Sequence, residues 1–237
     1  MLPQRINLIA YSTLAVIICY IDRVNISVAI IPMQEQFGWS DSQVGFIFSS
    51  FYLGYMLTMA LGGYLSDKFG GKRVLGWGVV LWSIFTILTP LAAHNGFFAL
   101  FFIRILMGIG EGVTFPAWHS LYARWIPFNE RTRAIAFTNS GVSIGTIIGY
   151  IGTQMIILAM GWEWAFYIFG IVGLVWFIFW NRNVTSYPNE HKRISAEELA
   201  YIQENAPSSE PAKKIHLRQL LVNKPFLAIV AATFANN

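Results

Sequence analysis

The sequence predicts an all-α membrane protein, and three observations carry this prediction. The 237 residues are 55% hydrophobic and only 12% charged, a composition outside the range of ordinary soluble domains. The apolar residues form runs of roughly 20 residues, which is the length that crosses a hydrocarbon core. Runs of this length are too long for barrel strands, and a backbone in lipid must then be helical because each of its polar groups needs a partner.

Six of these runs are complete, and a seventh begins near the end of the chain. We therefore predict a six-helix transmembrane bundle over residues 1–181, a central loop over residues 182–224 and the start of a truncated seventh helix over residues 225–237. The first run resembles a signal peptide, but no small-residue cleavage site follows it, so we interpret it as a retained helix. The six expected spans are Asn7–Ile31, Val44–Ser66, Val74–Ala92, Phe97–Trp125, Ala134–Met160 and Trp162–Trp180.

Basic residues divide the connections between these runs into two sets. The connections over residues 32–43, over residues 94–96 and around residue 161 contain no Lys or Arg. Because Lys and Arg are retained in cytoplasmic loops, the alternation predicts six crossings and a cytoplasmic N-terminus. The basic residues are scattered in short clusters between apolar runs, and this distribution argues against nucleic-acid binding despite the net charge of +4. The basic residues of the alternate connections are Arg5, Lys68, Lys72, Arg73, Arg124, Arg131, Arg133, Arg182, Lys192 and Arg193.

The predicted central loop contains two amphipathic stretches. Ser195 and Glu198 form a capping-box pattern at the start of a short surface helix. Further on, Lys213, Lys214 and Arg218 alternate with apolar residues, as in segments that lie on an anionic membrane surface. Both stretches also fit linker helices that serve only as spacers.

Chemistry-bearing patterns typical of enzymes are missing from the sequence. Cys19 is the single cysteine, so it can neither form a disulfide within the chain nor build a metal site, and we interpret it as small apolar filler. The sequence shows no nucleophile motif, metal cluster or phosphate loop. We therefore expect a protein that is not an enzyme and that holds neither a cofactor nor a metal.

Four ionisable residues lie well inside the predicted spans, away from the cytoplasmic and external loops. Asp22 and Arg23 are on the first helix, and Arg104 and Glu111 are on the fourth. Each costs about 2.5 to 3.5 kcal/mol if it faces lipid near the bilayer centre, so an interior position with a function is the default expectation. The alternative is a structural salt bridge that ties the first helix to the fourth.

The depth and spacing of these residues favour a site for an anion. Arg104 and Glu111 are seven positions apart, so they share one helix face about 10 Å apart along the axis. Two guanidinium groups suit a carboxylate or phosphate because their planar donors match its oxygens. A carboxyl group buried near mid-membrane can load and release a proton near neutral pH. Together these features predict that Glu111 couples proton movement to movement of an anion.

Further residues are candidates for the same cavity or for packing. His119 could extend a proton route from Glu111, although a lone histidine near a helix end equally suits packing. Tyr20 and Tyr55 could orient a polyhydroxy ligand through their hydroxyl groups. Glycines at every fourth position of the fifth span predict close helix packing. The weaker polar candidates are Asn25, Asn139, Ser140 and Ser143, and the glycines are Gly141, Gly145 and Gly149.

Two segments resemble a known transporter family. GYLSDKFGGKR, residues 63–73, resembles the loop signature G-x-L-x-D-[RK]-x-G-x-[RK] of the major facilitator superfamily. YIDRVNISVA, residues 20–29, and the stretch from Arg104 to Phe137 resemble the anion:cation symporter family, which includes sialin, the vesicular glutamate transporters and bacterial galactonate and hexuronate transporters. The resemblance implies two six-helix bundles, each built from inverted three-helix repeats, with the substrate bound between them. The chain has about half the length of that family, so it is expected to be either a fragment or a truncated product that lacks the second bundle.

The resemblance also implies roles for individual residues. Arg23 matches the arginine that binds the substrate carboxylate, and Tyr20 and Tyr55 match residues near the sugar acid. Asp22 and Glu111 match protonation sites, and Arg104 matches the arginine coupled to Glu111. A charge latch on the inner side would pair Asp67 with Arg131 or Arg133. The residues of this predicted cytoplasmic gate are Gly63, Asp67, Gly70, Lys72, Arg131 and Arg133.

These expectations combine into one predicted function, the proton-coupled symport of an organic anion. The expected substrate is a sugar acid such as a hexonate or hexuronate. One alternative is a transporter for another carboxylate or for phosphate, and a second is a half-transporter without activity. The expected partners are this anion, protons, membrane lipid and the missing six-helix half, with no nucleic acid. The external connections contain no Asn-x-Ser/Thr acceptor, which favours a bacterial inner membrane.

Overall fold

The computed structural model of the chain describes residues 3–205, and these fold into eight α-helices and one short 3₁₀ helix over Pro188–Glu190. Five spans in this range are long and apolar enough to cross a membrane, or six if the two arms of the bent helix α2 count as one. The predicted all-α membrane fold is therefore confirmed. The helices are α1 Gln4–Phe37, α2 Asp41–Phe69, α3 Gly71–His94, α4 Phe97–Glu111, α5 Thr114–Trp125, α6 Phe128–Met160, α7 Trp162–Asn183 and α8 Ala196–Asn205.

Helix boundaries follow local signals that extend most helices beyond the apolar runs. α1 ends at Gly38, whose left-handed backbone turns the chain, and Ser40 then caps α2 in a reciprocal capping box with Gln43. The fourth expected span is divided at Gly112 and Val113 into α4 and α5. The predicted seventh helix near Pro225 and the basic stretch around Lys213 lie outside the described residues.

The two ends of the bundle differ in chemistry. At one end, which we call the basic face, α1, α3 and α6 begin and α2, α5 and α7 end. Arg5 there bonds Glu130 at the start of α6, and Lys72 donates to the carbonyl of Asn181 near the end of α7. The opposite end is closed by Phe37, Trp39 and Trp162, with Trp162 Nε1 donating to Gln36 Oε1 at 2.8 Å. The basic loops predicted to lie on one side of the bilayer therefore do come together.

Glycines set the closest helix contacts. A β-carbon at Gly145 of α6 would lie 2.5 Å from the carbonyl oxygen of Ile17 on α1. Between α2 and α4 the approach is closer still, because a β-carbon at Gly108 would overlap the carbonyl oxygen of Phe51. The predicted close packing of the glycine-rich helix is confirmed, and it positions α1 against α6 while α4 packs on α2 and α3.

Helix α8 is anchored on the basic face by Glu198. Ser195 Oγ accepts a bond from Glu198 N at 3.1 Å, as the capping-box pattern predicts. The Glu198 carboxylate does not return to Ser195, however, so this half of the prediction is wrong. It instead accepts bonds from the backbone amides of Gln4 and Arg5 at 2.9 and 3.0 Å and from the Arg5 side chain. A negative charge is favourable there because the N-terminus of α1 carries a partial positive charge.

Candidate anion-binding site

The centre of the candidate site is an ion pair between α1 and the end of α4. Arg23 donates from Nε and Nη2 to Glu111 Oε2, at 3.2 and 3.0 Å. The Glu111 side chain is fully buried, whereas 16% of the Arg23 side chain is exposed. Glu111 Oε1 is buried with no hydrogen-bond partner in residues 3–205. The pair therefore joins the two helices and leaves one carboxylate oxygen unused.

Aromatic rings surround the Arg23 guanidinium. Its central carbon lies 4.8, 5.1 and 4.7 Å from the ring centres of Tyr20, Phe51 and Tyr55. A cation over aromatic faces gains favourable electrostatic energy, more so when it is withdrawn from water. The rings restrict the guanidinium to one position while its exposed edge stays reachable. The predicted neighbours Tyr20 and Tyr55 thus lie beside Arg23, and Phe51 is a neighbour that the sequence did not suggest.

Cys19 takes part in the site, which the interpretation as apolar filler missed. Its Sγ lies 3.2 Å from the same Glu111 oxygen that Arg23 contacts, and 3.8 Å from Arg23 Nη2. The thiol donates to the carboxylate, so Glu111 Oε2 accepts from two neighbours one helical turn apart on α1. The spacing of Cys19 and Arg23, at i and i+4, is the only sequence signal that places them on one face.

Arg104 also lies against Phe51 but has a different environment. Its guanidinium is 4.9 Å from the Phe51 ring centre, and Nη1 is 3.2 Å from the sulfur of Met107. Only 2% of the residue is exposed, and its Nε has no hydrogen-bond partner in the described chain. Arg104 and Glu111 occupy one buried face of α4, as their spacing predicts, but the carboxylate bonds to Arg23.

Asp22 faces away from Arg23, as expected for neighbours in a helix. Its Oδ2 accepts a bond from Trp82 Nε1 on α3 at 3.1 Å, and its Oδ1 has no partner in residues 3–205. Asn25, one turn further, is completely buried, and neither of its amide atoms has a partner there. Nothing in sequence spacing points to Trp82. Asp22 of α1 therefore contacts α3, while the next residue, Arg23, contacts Glu111 at the end of α4.

Four other candidates lie outside this cluster. His119 is exposed on α5, where Nδ1 is 2.8 Å from the carbonyl of Phe115 and the ring stacks on Trp118 at 3.7 Å. The break at Gly112 and Val113 separates it from Glu111, so the two side chains do not lie on one continuous helix. Ser143 is exposed on α6, as are Asn139 and Ser140.

The predicted gate residues occupy the basic face, with a different partner for Asp67. Arg124 Nη2 lies 3.7 Å from Asp67 Oδ1, and Ser120 Oγ donates to the same oxygen at 3.4 Å. The expected latch partner Arg131 instead donates to the carbonyls at the end of α5, and Arg133 is exposed. An exposed pair of this kind contributes little stability by itself.

The remaining gate residues form the turn between α2 and α3. Gly70 has a positive φ of 86°, which side-chain-bearing residues rarely adopt, and its amide caps α2. Lys72 donates to Asn181 O at 2.9 Å, and Gly63 is exposed on α2 with open space beside it. The loop signature therefore has a local structural basis at Gly70 and Lys72.

Comparisons with known proteins agree on one family. Residues 12–237 match the sequence profile described as Major Facilitator Superfamily. The chain is 43% identical over 235 residues to "Probable anion transporter 4, chloroplastic" of Oryza sativa subsp. japonica. This alignment covers 99% of this chain and 40% of the rice protein. It is 41% identical over 235 residues to two Arabidopsis thaliana proteins, "Sodium-dependent phosphate transport protein 1, chloroplastic" and "Ascorbate transporter, chloroplastic". These alignments cover 99% of this chain and 46% and 43% of the two relatives.

Solved structures of transporters share the fold. The proton:xylose symporter XylE superimposes with a TM-score of 0.75 at 19% identity, over 92% of this chain and 55% of that one. A bacterial homolog of the human lysosomal transporter Spinster gives a TM-score of 0.67 at 25% identity, over 79% of this chain and 44% of that one. The chain spans less than half the length of the curated relatives named above.

The prediction of a bacterial inner membrane is wrong. The relatives at 41 to 43% identity are named as chloroplastic proteins of rice and Arabidopsis. The lack of Asn-x-Ser/Thr acceptors argues only against compartments in which such sites are glycosylated. It does not distinguish a bacterial membrane from the membrane of an organelle without such glycosylation.

Proposed function

The chain belongs to the major facilitator superfamily, and from this premise we propose that it forms the first half of an anion transporter in which Arg23 holds the substrate. The observation that carries the proposal is the Arg23–Glu111 pair, a cation within an aromatic enclosure whose carboxylate partner is fully buried. Arg23 is the partly exposed member of the pair, so it is the one that an incoming anion can reach.

Competition for Arg23 provides the proposed coupling between a proton and the anion. While Glu111 is ionised, its Oε2 occupies the Nε and Nη2 donors of Arg23. An anion that takes these donors would leave a buried carboxylate without a cation, which is costly unless the carboxylate is protonated. Proton binding to Glu111 and anion binding to Arg23 are therefore mutually favourable. Cys19 and Arg104 lie near enough to adjust the balance, and Asp22 is proposed as a second protonation site.

The proposed substrate class is an anion with a carboxylate, with a sugar acid as the first candidate. Arg23 supplies two donors for one carboxylate, and Tyr20 and Tyr55 beside it carry hydroxyl groups that suit a polyol. Phosphate is the second candidate, because one relative is named a phosphate transport protein. That name also includes sodium dependence, so sodium is the alternative to the proton as coupling ion. Another relative is named an ascorbate transporter.

The proposed whole transporter includes a second helical half and lies in a chloroplast membrane. α2 and α6 expose apolar side chains along much of their length, including Leu53, Met56, Ile147 and Ile151. We propose that part of this surface packs on the second half and part on lipid. The six-helix bundle over residues 1–181, the loop over residues 182–224 and the start of a seventh helix remain the proposed division, with Asp67, Lys72, Arg131 and Arg133 near the gate.

The replacement Glu111→Gln in the full-length transporter tests the coupling. Gln keeps the size of the side chain but takes up no proton, so gradient-driven accumulation of the anion should fall to the passive level. Exchange of labelled for unlabelled anion should persist, because Arg23 stays available. Uptake into proteoliposomes, with an imposed proton gradient or an imposed sodium gradient, measures both processes for a hexuronate and for phosphate.

Glu35→Gln is the matched control, since Glu35 is an exposed acid on the same helix as Arg23. It should transport like the unmodified protein. Unchanged proton-driven accumulation in Glu111→Gln would contradict the proposed coupling, and accumulation that follows only the sodium gradient would favour the alternative ion.

A further inference from the structure

A polar cavity of about 750 Å³ lies on the basic face, away from Arg23 and Glu111. The starts of α1 and α3, the end of α7 and the following segment over residues 184–193 form its walls. Its volume falls within the range of sites that hold small molecules. We call it the basic cavity; it shares Lys72 with the proposed gate and contains none of the residues of the proposed anion site.

The charge of the basic cavity is strongly unbalanced. Four cationic side chains line it against one carboxylate, Glu190, and they are Lys72, Arg182, Lys192 and Arg193. In residues 3–205 none of the four forms an ion pair with a carboxylate, although Arg5, Arg23 and Arg124 elsewhere do. Lys72 also lies in the first turn of α3, where the helix dipole makes a cation unfavourable. The end of α7 accounts for two of the four cations, because Lys72 Nζ donates to the Asn181 carbonyl and Arg182 lies in the last turn of that helix. Lys192 and Arg193 have no such role at a helix end, and a bound anion would offset their charge.

Hydrogen bonds hold the walls of the cavity in place. Trp180 Nε1 donates to the Lys72 carbonyl at 3.0 Å, and Asn183 Nδ2 donates to Tyr11 Oη at 3.0 Å. His191 Nε2 lies 3.1 Å from the carbonyl oxygen of Asn183, and His191 Nδ1 accepts a bond from the backbone amide of Arg193. A site whose walls are already ordered loses less entropy when a ligand binds.

From this cavity, its unpaired cations and its fixed walls, we propose that the basic cavity binds a phosphate ester of a polyol. Arginine and lysine suit the phosphate, and the amide side chains of Gln4, Asn7 and Asn181 in the lining suit hydroxyl groups. The same chemistry occurs in the headgroup of phosphatidylglycerol, an anionic lipid, and in free glycerol 3-phosphate. Basic pockets beside transmembrane helix ends commonly bind anionic headgroups. The site goes beyond the proposed transport function and does not depend on it.

Two probes distinguish the sources of the ligand. Native mass spectrometry of the full-length protein, with equal amounts of phosphatidylglycerol and phosphatidylcholine, measures retention of the anionic lipid. Calorimetry with glycerol 3-phosphate measures binding of the soluble ester. The test variant carries Lys192→Gln and Arg193→Gln, and the matched control carries Lys68→Gln and Arg73→Gln, a Lys and Arg pair on the same face that does not line this cavity.

We expect the test variant to bind the preferred probe about tenfold more weakly, since each exposed charge contact contributes a modest amount, and the control to bind as before. Preference for phosphatidylglycerol alone assigns the lipid source, and binding of glycerol 3-phosphate assigns the soluble one. Circular dichroism checks that the variant folds, and the charge-preserving exchange Lys192→Arg with Arg193→Lys should keep binding. No preference for either probe in the unmodified protein, or an equal loss in the control, would overturn the proposal.

Discussion

Removing Arg23 should destabilise the protein chiefly because Glu111 then lies uncompensated in the core. Loss of one partner of a buried ion pair costs about 3 to 5 kcal/mol. The 16% exposure of the Arg23 side chain admits water on one side, so the lower end, about 3 kcal/mol, is expected for Arg23→Gln. In a protein that already carries Glu111→Gln, the same replacement should cost only about 1 kcal/mol, which is the lost contact with Tyr20, Phe51 and Tyr55.

A double-mutant cycle measures the difference between these two values, which is the coupling free energy. We expect about 2 kcal/mol between Arg23 and Glu111, well above the roughly 0.5 kcal/mol scatter between independent sites. For a chain of this size, 1 kcal/mol shifts the melting temperature by roughly 2 to 4 °C. Arg23→Gln alone should therefore melt roughly 6 to 12 °C lower than the unmodified protein. Thermal unfolding of the four proteins in one detergent, followed by circular dichroism, gives the cycle.

The pH dependence adds an independent check. A protonated Glu111 is neutral and no longer needs a cation, so the deficit of Arg23→Gln should shrink as the pH falls. Glu35→Gln, an exposed acid on α1, should change the melting temperature little at any pH. A coupling free energy below about 0.5 kcal/mol would show that the two side chains are energetically independent, and the competition proposed for Arg23 would then lack its physical basis.

Two further replacements test the packing of the bundle and the anchor of α8. Gly108→Ala should lower the free energy of unfolding by about 1 to 3 kcal/mol, because the added methyl group would overlap a carbonyl oxygen of α2. The control Gly63→Ala, with open space around it, should leave this free energy almost unchanged. Equal melting temperatures for the two variants would contradict the tight α2–α4 contact. Glu198→Gln should lower the free energy of unfolding by about 1 to 2 kcal/mol and speed amide hydrogen exchange in the first turn of α1, because Arg5 and two backbone amides lose an anionic acceptor. The control Glu197→Gln, at an exposed neighbouring position, should produce neither effect. Unchanged exchange in Glu198→Gln would refute the anchor.

Features that depend on one helix alone were predictable from the sequence. The apolar runs define the spans, since the length needed to cross a bilayer is a property of a single helix. The glycines of α6 identify its packing face, because a four-residue period returns to the same side of a helix. Arg104 and Glu111 share a buried face of α4 for the same reason. These predictions need no knowledge of how one helix is rotated against another.

Contacts between helices were not predictable in the same way. Trp82 and Phe51 become part of the site only because α3 and α2 turn these side chains toward α1, and in the sequence they are two aromatic residues among many. Asp67 pairs with Arg124 of α5, whereas the resemblance implied Arg131 or Arg133 of α6, and nothing in the spacing along the chain indicates this partner. A short local signal such as a capping box also fails when a distant partner is stronger, as the Glu198 carboxylate demonstrates.

The distribution of hydrogen bonds among the four buried ionisable groups favours the proposed working site over a purely structural salt bridge. Asp22 and Glu111 balance Arg23 and Arg104 in charge, yet only Arg23 and Glu111 pair directly. Asp22 and Arg104 take uncharged partners, an indole and a thioether. Three of the four groups keep a buried polar atom without a partner in the described chain. A structural network gains stability only when every member is satisfied, so these partly satisfied charges favour a site in which bonds are exchanged over one in which they are permanent.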